Sequence, residues 1–260
     1  TLESQTPAGD STGIPTIVTK RRLPPSPAWG RFQPSVRACS DNHSDRNRNL
    51  IDCRTYAKQP DARKPSLLLP TVYLLNPTSI AKEHALEQLK LDVANCCADV
   101  VILCETWLKP KHDSNLFEIS NYTLYRHDRN GRKGGGLCIY VSNQYKSSLC
   151  ACNANYVLFV ELMWLKVTIS ERLDMVVGAC YHPPKPRYQE FDLSRLIVAG
   201  IEELEQQNPN SVIIFAGDLN QLDCNFLETQ RGLVQVNHDA THGCNVLDKF
   251  FTNRPDLFIS

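Results

Sequence analysis

The sequence has no apolar run approaching the ~18 residues that a membrane-crossing helix needs; its apolar stretches are as short as Val100-Val101-Ile102-Leu103-Cys104. It also lacks the charged-then-apolar opening of a secretory signal. Together these absences lead to the expectation of a soluble, intracellular protein with no membrane partner. Eleven cysteines are present, but no two form a CxxC pair, which argues against structural zinc. Their odd number, and the position of Cys104, Cys138 and Cys180 inside apolar runs, favour reduced, buried thiols over a disulfide framework. Net charge is absent too, 28 Lys and Arg balancing 28 Asp and Glu, and no internal repeat is visible.

What remains is 260 residues, 42% of them hydrophobic, ample for one sizeable core or two small ones. The neutrality conceals an asymmetry. Residues 1–70 carry 11 basic and 6 acidic side chains, whereas residues 71–260 carry 17 and 22. The first 70 residues also hold nine of the sixteen prolines and three of the twenty-one aromatics. So little apolar surface cannot offset the entropy of ordering a chain, so residues 1–66 are expected to be a basic, Pro/Ser-rich and largely disordered tail. Its cations (Lys20-Arg21-Arg22, Arg46, Arg48, Arg54, Arg63-Lys64) suit either a solvated arm or attraction to nucleic acid.

From residue 67 the pattern changes to short apolar runs bounded by polar turns and separated by helical spacing, the mark of a mixed α/β domain over 67–260. Leu67–Leu75 reads as a strand interrupted at Pro70. Ser79 suits an N-cap, and Ala85, Leu86, Leu89 and Val93 predict a helix over 80–95. Val100–Cys104 reads as a fully buried strand. Tyr122–Arg126 and Leu137–Val141 read as a strand pair around a basic, Gly-rich connection, followed by strands at Tyr156–Thr168 and Met175–Tyr181. Leu193, Leu196, Ile197, Gly200, Ile201 and Leu204 predict a second helix ending near Asn208-Pro209, ahead of a strand at Val212–Ala216. A β-rich middle between two helix-plus-strand units predicts two packed sheets with outer helices.

Polar residues stand at the ends of these predicted strands, where α/β folds expose functional side chains: Asn76, Glu105, Tyr181, and the pair Asp218 and Asn220 after Gly217. Taken singly, each is ordinary turn chemistry. Their joint order is more specific. Asn76-Pro77-Thr78-Ser79-Ile80-Ala81-Lys82 is followed by Asp99 to Leu108 with Glu105-Thr106-Trp107. Then come Arg126-His127-Asp128-Arg129 and Gly134-Gly135-Gly136, Cys180-Tyr181-His182-Pro183-Pro184, and Gly217-Asp218-Leu219-Asn220. In this order the sequence resembles the endonuclease/exonuclease/phosphatase superfamily over about 70–260. More narrowly, it resembles the apurinic/apyrimidinic-type endonuclease domain of non-LTR retrotransposon polyproteins.

The resemblance implies a four-layer α/β sandwich, two packed mixed β-sheets flanked by helices, and Mg²⁺-dependent (or Mn²⁺-dependent) nicking of double-stranded DNA in the nucleus. It also implies a reverse transcriptase region in a longer parent polyprotein. Carried over by position, it assigns Glu105 as the principal metal ligand with Asn76 beside it. Asp218 would orient and help deprotonate the attacking water, Asn220 would bind a nonbridging phosphate oxygen, and the Tyr181 hydroxyl would assist at the phosphate or leaving group. Asp248, in Asn245-Val246-Leu247-Asp248, matches the aspartate that supports a catalytic histidine. That histidine belongs to a terminal Ser-Asp-His motif on a last strand which the sequence does not reach, so the domain is expected to be C-terminally incomplete. His238 and His242 lie upstream of Asp248 and are poor substitutes; His182 and His127 are expected as solvated or cleft-rim residues.

The Arg126–Lys133 loop, with Arg126, Arg129, Arg132 and Lys133, is either a DNA-contacting segment or a solvated hairpin loop. Trp107 is expected to pack against the sheet. Two other readings stay open: a remnant that keeps the fold and metal or nucleic-acid binding without turnover, and a phospholipid or inositol-phosphate hydrolase of the same superfamily.

Overall fold

The computed structural model describes residues 17–20, 69–151, 159–242 and 244–258. Eleven strands and three helices are found there: β1 (Ile17–Lys20), β2 (Val72–Leu75), α1 (Ala85–Cys96), β3 (Val100–Cys104), β4 (Tyr122–His127), β5 (Leu137–Ser142), β6 (Lys146–Leu149), β7 (Glu161–Ser170), β8 (Leu173–Tyr181), α2 (Glu190–Gln207), β9 (Val212–Asp218), α3 (Asn225–Arg231), β10 (Val234–Gln235) and β11 (Asp248–Thr252). They build two sheets, one in the order β1-β2-β3-β5-β4 and the other β10-β11-β9-β8-β7-β6. Each is mixed. In the first, β1, β2 and β3 run parallel while β5 and β4 add antiparallel. In the second, only the β8–β9 pair is parallel.

Period-two alternation sorts the side chains into layers. Leu74, Val100 and Ile102 of the first sheet meet Leu165, Val177, Ile214 and Ala216 of the second in a central core. Tyr73, Val101 and Leu103 point the other way, onto Leu89 and Val93 of α1. Val176, Ile213 and Phe215 pack on Leu193, Ile197, Ile201 and Leu204 of α2. The predicted α/β sandwich is therefore the architecture. Burial on both faces explains why Val100–Cys104 and Val212–Ala216 are apolar throughout, without alternation.

Some expectations are corrected. The helix predicted over 80–95 starts at Ala85 and is capped by His84 in a left-handed conformation. Ser79, the expected cap, has φ +91° and its N–H donates to the Glu105 carbonyl at 2.7 Å, so Ser79 and Ile80 are held against the end of β3. The short strands β6 and β10 match no predicted run, and β11 opens at Asp248. Ile17–Lys20, inside the stretch read as a tail, pairs in parallel with β2; the rest of 1–68 lies outside the described residues. The eight described cysteines form no disulfide with one another. Among the described residues, no helix is long and apolar enough to cross a membrane.

Candidate active site at the seam of the two sheets

Strand register brings four polar residues into one row. Glu161 opens β7 opposite Tyr181 at the end of β8, Tyr181 pairs with Asp218 at the end of β9, and Asp218 pairs with Asp248 at the start of β11. Asn76 and Glu105 follow β2 and β3, neighbouring strands of the other sheet. The two sets meet across the seam. The Asn76 amide nitrogen donates to Glu105 Oε1 at 3.1 Å and to Asp218 Oδ2 at 2.5 Å. The Tyr181 hydroxyl donates to the same Glu105 oxygen at 2.7 Å, and the Trp107 indole N–H approaches Glu105 Oε2 at 3.4 Å. Below them Cys104 ties the sheets, donating to the Cys180 carbonyl and accepting from the Asp218 N–H at 3.3 Å.

All of this is buried: Asn76, Glu105, Tyr181, Asp218, Asn220 and Asp248 each expose less than a tenth of their surface. Burial, then the Glu105 charge and the bond to it, hold the Tyr181 hydroxyl well above its ordinary pKa, so it stays a donor. Burial also raises the Cys104 thiol, reinforced by the charges of Asp218 and Asp248. That thiol is an inert filler.

The backbone is strained here. Thr78, Ser79, Glu105, Trp107 and Asn220 are all non-glycine residues at positive φ. Pairing elsewhere holds them: the N–H groups of Thr106 and Trp107 donate to the carbonyls of Gly136 and Gly135, and Ile80 N–H donates to the Thr106 carbonyl. Gly217 is required by close packing between strands. It lies within β9, and a Cβ there would stand 1.8 Å from the Cys180 carbonyl oxygen.

No match is found among curated protein sequences. A family model, that of the Endonuclease/Exonuclease/phosphatase family, matches residues 72–259. The chain belongs to that family. Two solved structures agree on the fold. An AP endonuclease from Leishmania major, LMAP, is 13% identical, with 72% of this chain and 79% of that one covered and a TM-score of 0.52. An AP endonuclease from Archaeoglobus fulgidus is 12% identical, covering 72% and 87%, with a TM-score of 0.51. TDP2 of D. rerio complexed with a single-strand DNA product is 17% identical, covering 70% and 82%, with a TM-score of 0.49.

In this family member the expected residues do converge, and each has partners of its own. Asn76 was assigned beside the metal. Its oxygen accepts from the Thr78 N–H at 3.0 Å while its nitrogen faces two carboxylates, so it bridges them as a donor. Asn220 was assigned to a phosphate oxygen; its amide nitrogen donates to the His182 carbonyl at 2.7 Å, tying the ends of β8 and β9. Asp248 is pinned through its backbone, its N–H on Thr241 Oγ and its carbonyl on the Asn237 amide. His182 is not solvated. It is 3% exposed, its ring bonded to the Tyr188 hydroxyl at 3.1 Å and near Glu190 at 3.6 Å, and burial lowers its pKa. His127 is half-buried, and His238 and His242 are exposed.

The four expected DNA-contacting cations divide. Arg126 turns inward to Asp128 at 2.7 Å, the Lys109 and His112 carbonyls and Ser114. Arg129 forms an ion pair with Glu161 and stacks over the Tyr181 ring at 5.3 Å. Neither guanidinium faces solvent, their side chains being 12% and 11% exposed. Arg132 is half-buried and Lys133 exposed. Glu161 was missed by sequence reasoning, although an acid opening the apolar run Glu161-Leu162-Met163-Trp164-Leu165 was a signal. Its second oxygen accepts from the Gly136 N–H at 2.5 Å, so it fixes both Arg129 and the glycine-rich segment. Trp107, expected to pack against the sheet, is half-buried beside Glu105.

The donor set suits a hard cation. Two buried carboxylates on different sheets are bridged by the Asn76 amide, and the Tyr181 hydroxyl donates to Glu105; both donors are neutral, so the carboxylate charge remains for an ion. Among the described residues no group of three or more His, Cys, Asp and Glu forms an enclosing cage. Mg²⁺ prefers few carboxylates, water and substrate phosphate to such a cage.

Proposed function

We propose that the chain is a Mg²⁺-dependent phosphodiester hydrolase, with Mn²⁺ able to substitute, that nicks double-stranded DNA. On this reading it acts in the nucleus as the endonuclease part of a retroelement whose polyprotein includes a reverse transcriptase. The observation that carries the reading is the Asn76 amide bridging Glu105 and Asp218 across the sheet seam, with Tyr181 on the same glutamate oxygen.

A bound divalent ion supplies the positive charge that a dianionic pentavalent transition state needs. Glu105 is the residue to hold it. Asp218 is the acceptor that orients the attacking water and draws its proton. Asn76 keeps the two carboxylates in fixed register, offering a hydrogen to each. Tyr181 remains protonated through the working pH range and can donate toward a phosphate or leaving oxygen. Asp248, opposite Asp218 in register, adds charge that favours a proton moving away from the water.

The test is relaxation of supercoiled plasmid, by the chain as it stands and by one continued through a Ser-Asp-His strand. The expected result is open circles with Mg²⁺ and none with chelator, and a loss of about 100- to 1,000-fold in Glu105→Ala and Asp218→Ala. Nicking indifferent to Glu105→Ala, or absent from both chains, would overturn the reading.

A further inference from the structure

Next to Glu105 the half-buried indole of Trp107 gathers two ammonium groups, Lys133 Nζ at 5.3 Å and Lys82 Nζ at 5.8 Å from a ring centroid. The lysines come from different segments, one following β2 and the other the loop between β4 and β5. Both are exposed, and among the described residues neither has a carboxylate partner. The tryptophan is built in: it sits at φ +57°, its N–H is held by the Gly135 carbonyl at 2.8 Å, and its indole N–H points to Glu105 Oε2. A Cβ on Gly134 would lie 3.6 Å from the indole nitrogen, so the glycine-rich segment packs directly on the ring.

An exposed ammonium over an indole gains only about 0.5–1 kcal/mol. That is too little reason for a strained backbone to bring two like charges to one ring beside a carboxylate site. An anion shared by both would resolve their repulsion. We propose that Lys82, Lys133 and Trp107 form a phosphate-binding ledge that takes the nucleic-acid backbone next to the phosphodiester held at Glu105. The lysines supply the charge, and the indole sets their position relative to Glu105. The inference rests on the proposed function for its substrate. It differs from the expectation of a four-cation loop, because Arg126 and Arg129 are engaged internally and Lys82 comes from outside that loop.

Counterion release gives the readout. Each phosphate neutralised on duplex DNA contributes about −0.9 to the slope of log affinity against log salt. Anisotropy of a labelled duplex, titrated in chelator with the full chain at several salt concentrations, compares wild type with Lys82→Gln/Lys133→Gln. As a control, Lys146→Gln/Arg172→Gln removes two charges from the opposite end of the second sheet, where Lys146 pairs with Thr168. The expected result is a slope shallower by about 0.9 in the ledge variant alone, so that its deficit in affinity shrinks about 3.5-fold between roughly 50 and roughly 200 mM salt. An unchanged slope in the ledge variant, or an equal change in the control, overturns the ledge while leaving DNA binding intact. Absence of DNA binding by the wild type instead removes the substrate reading, and the ledge falls with it.

Discussion

Asn76 shows what a single amide does at this seam. Between Glu105 and Asp218 it donates to both, and Asn76→Asp would place a third carboxylate between two others at nearly unchanged volume. The expected outcome is a loss of nicking of about 100-fold or more, together with a lower melting temperature, read by plasmid relaxation and calorimetry. His182 gives a pH prediction. Burial depresses its pKa in the folded state, so its neutral form contributes stability above the ordinary value of about 6.5, and that contribution is lost as pH falls below it. The melting temperature should therefore drop between about pH 7 and about pH 5, and His182→Gln should flatten part of that drop. Residues that close apolar strands, Glu105, Tyr181 and Asp218, were legible because strand ends of an α/β fold converge on one rim. The internal roles of Arg126 and Arg129 were not legible. Whether a cation faces solvent or a buried acid 32 positions away, as Arg129 does with Glu161, depends on the packing of two sheets.

Strand pairs and loops hold these side chains in place, and glycine sets how closely they approach. The β8–β9 pair, which presents Tyr181 beside Asp218, closes only because Gly217 has no Cβ to meet the Cys180 carbonyl. Gly217→Ala must spread two strands and is expected to cost about 3 kcal/mol or more, a fall in melting temperature of roughly 6–12 °C for a domain of this size. The glycine-rich segment obeys the same logic, since a Cβ on Gly135 would stand 2.2 Å from the Arg129 guanidinium. Glu161→Gln leaves that buried guanidinium without its counter-charge and should destabilise by about 3–5 kcal/mol; Arg129→Met added to it should recover part of the loss. A double-mutant cycle in denaturant measures both. Helix faces and long apolar strands were readable from periodicity. The start of α1 and the two-residue β10 were not: Ser79 is drawn to the Glu105 carbonyl, and a short edge strand has too few residues to show a period.

Across the whole molecule, the site exists only where two sheets meet. Each sheet alone carries unremarkable strand-end residues, and Asn76 and Tyr181 join them into one group of hydrogen-bonded carboxylates. An acidic residue balance over 71–260 means that any polyanion must be met through local cations and a bound ion, since net charge repels it. The central claim is that Glu105 and Asp218, one from each sheet, serve one divalent-ion centre. Mn²⁺ binding followed by electron paramagnetic resonance tests it without requiring turnover. The account predicts one bound ion per chain in the wild type, displaced by excess Mg²⁺ and lost in Glu105→Ala. Binding of the same stoichiometry and affinity in Glu105→Ala would contradict it.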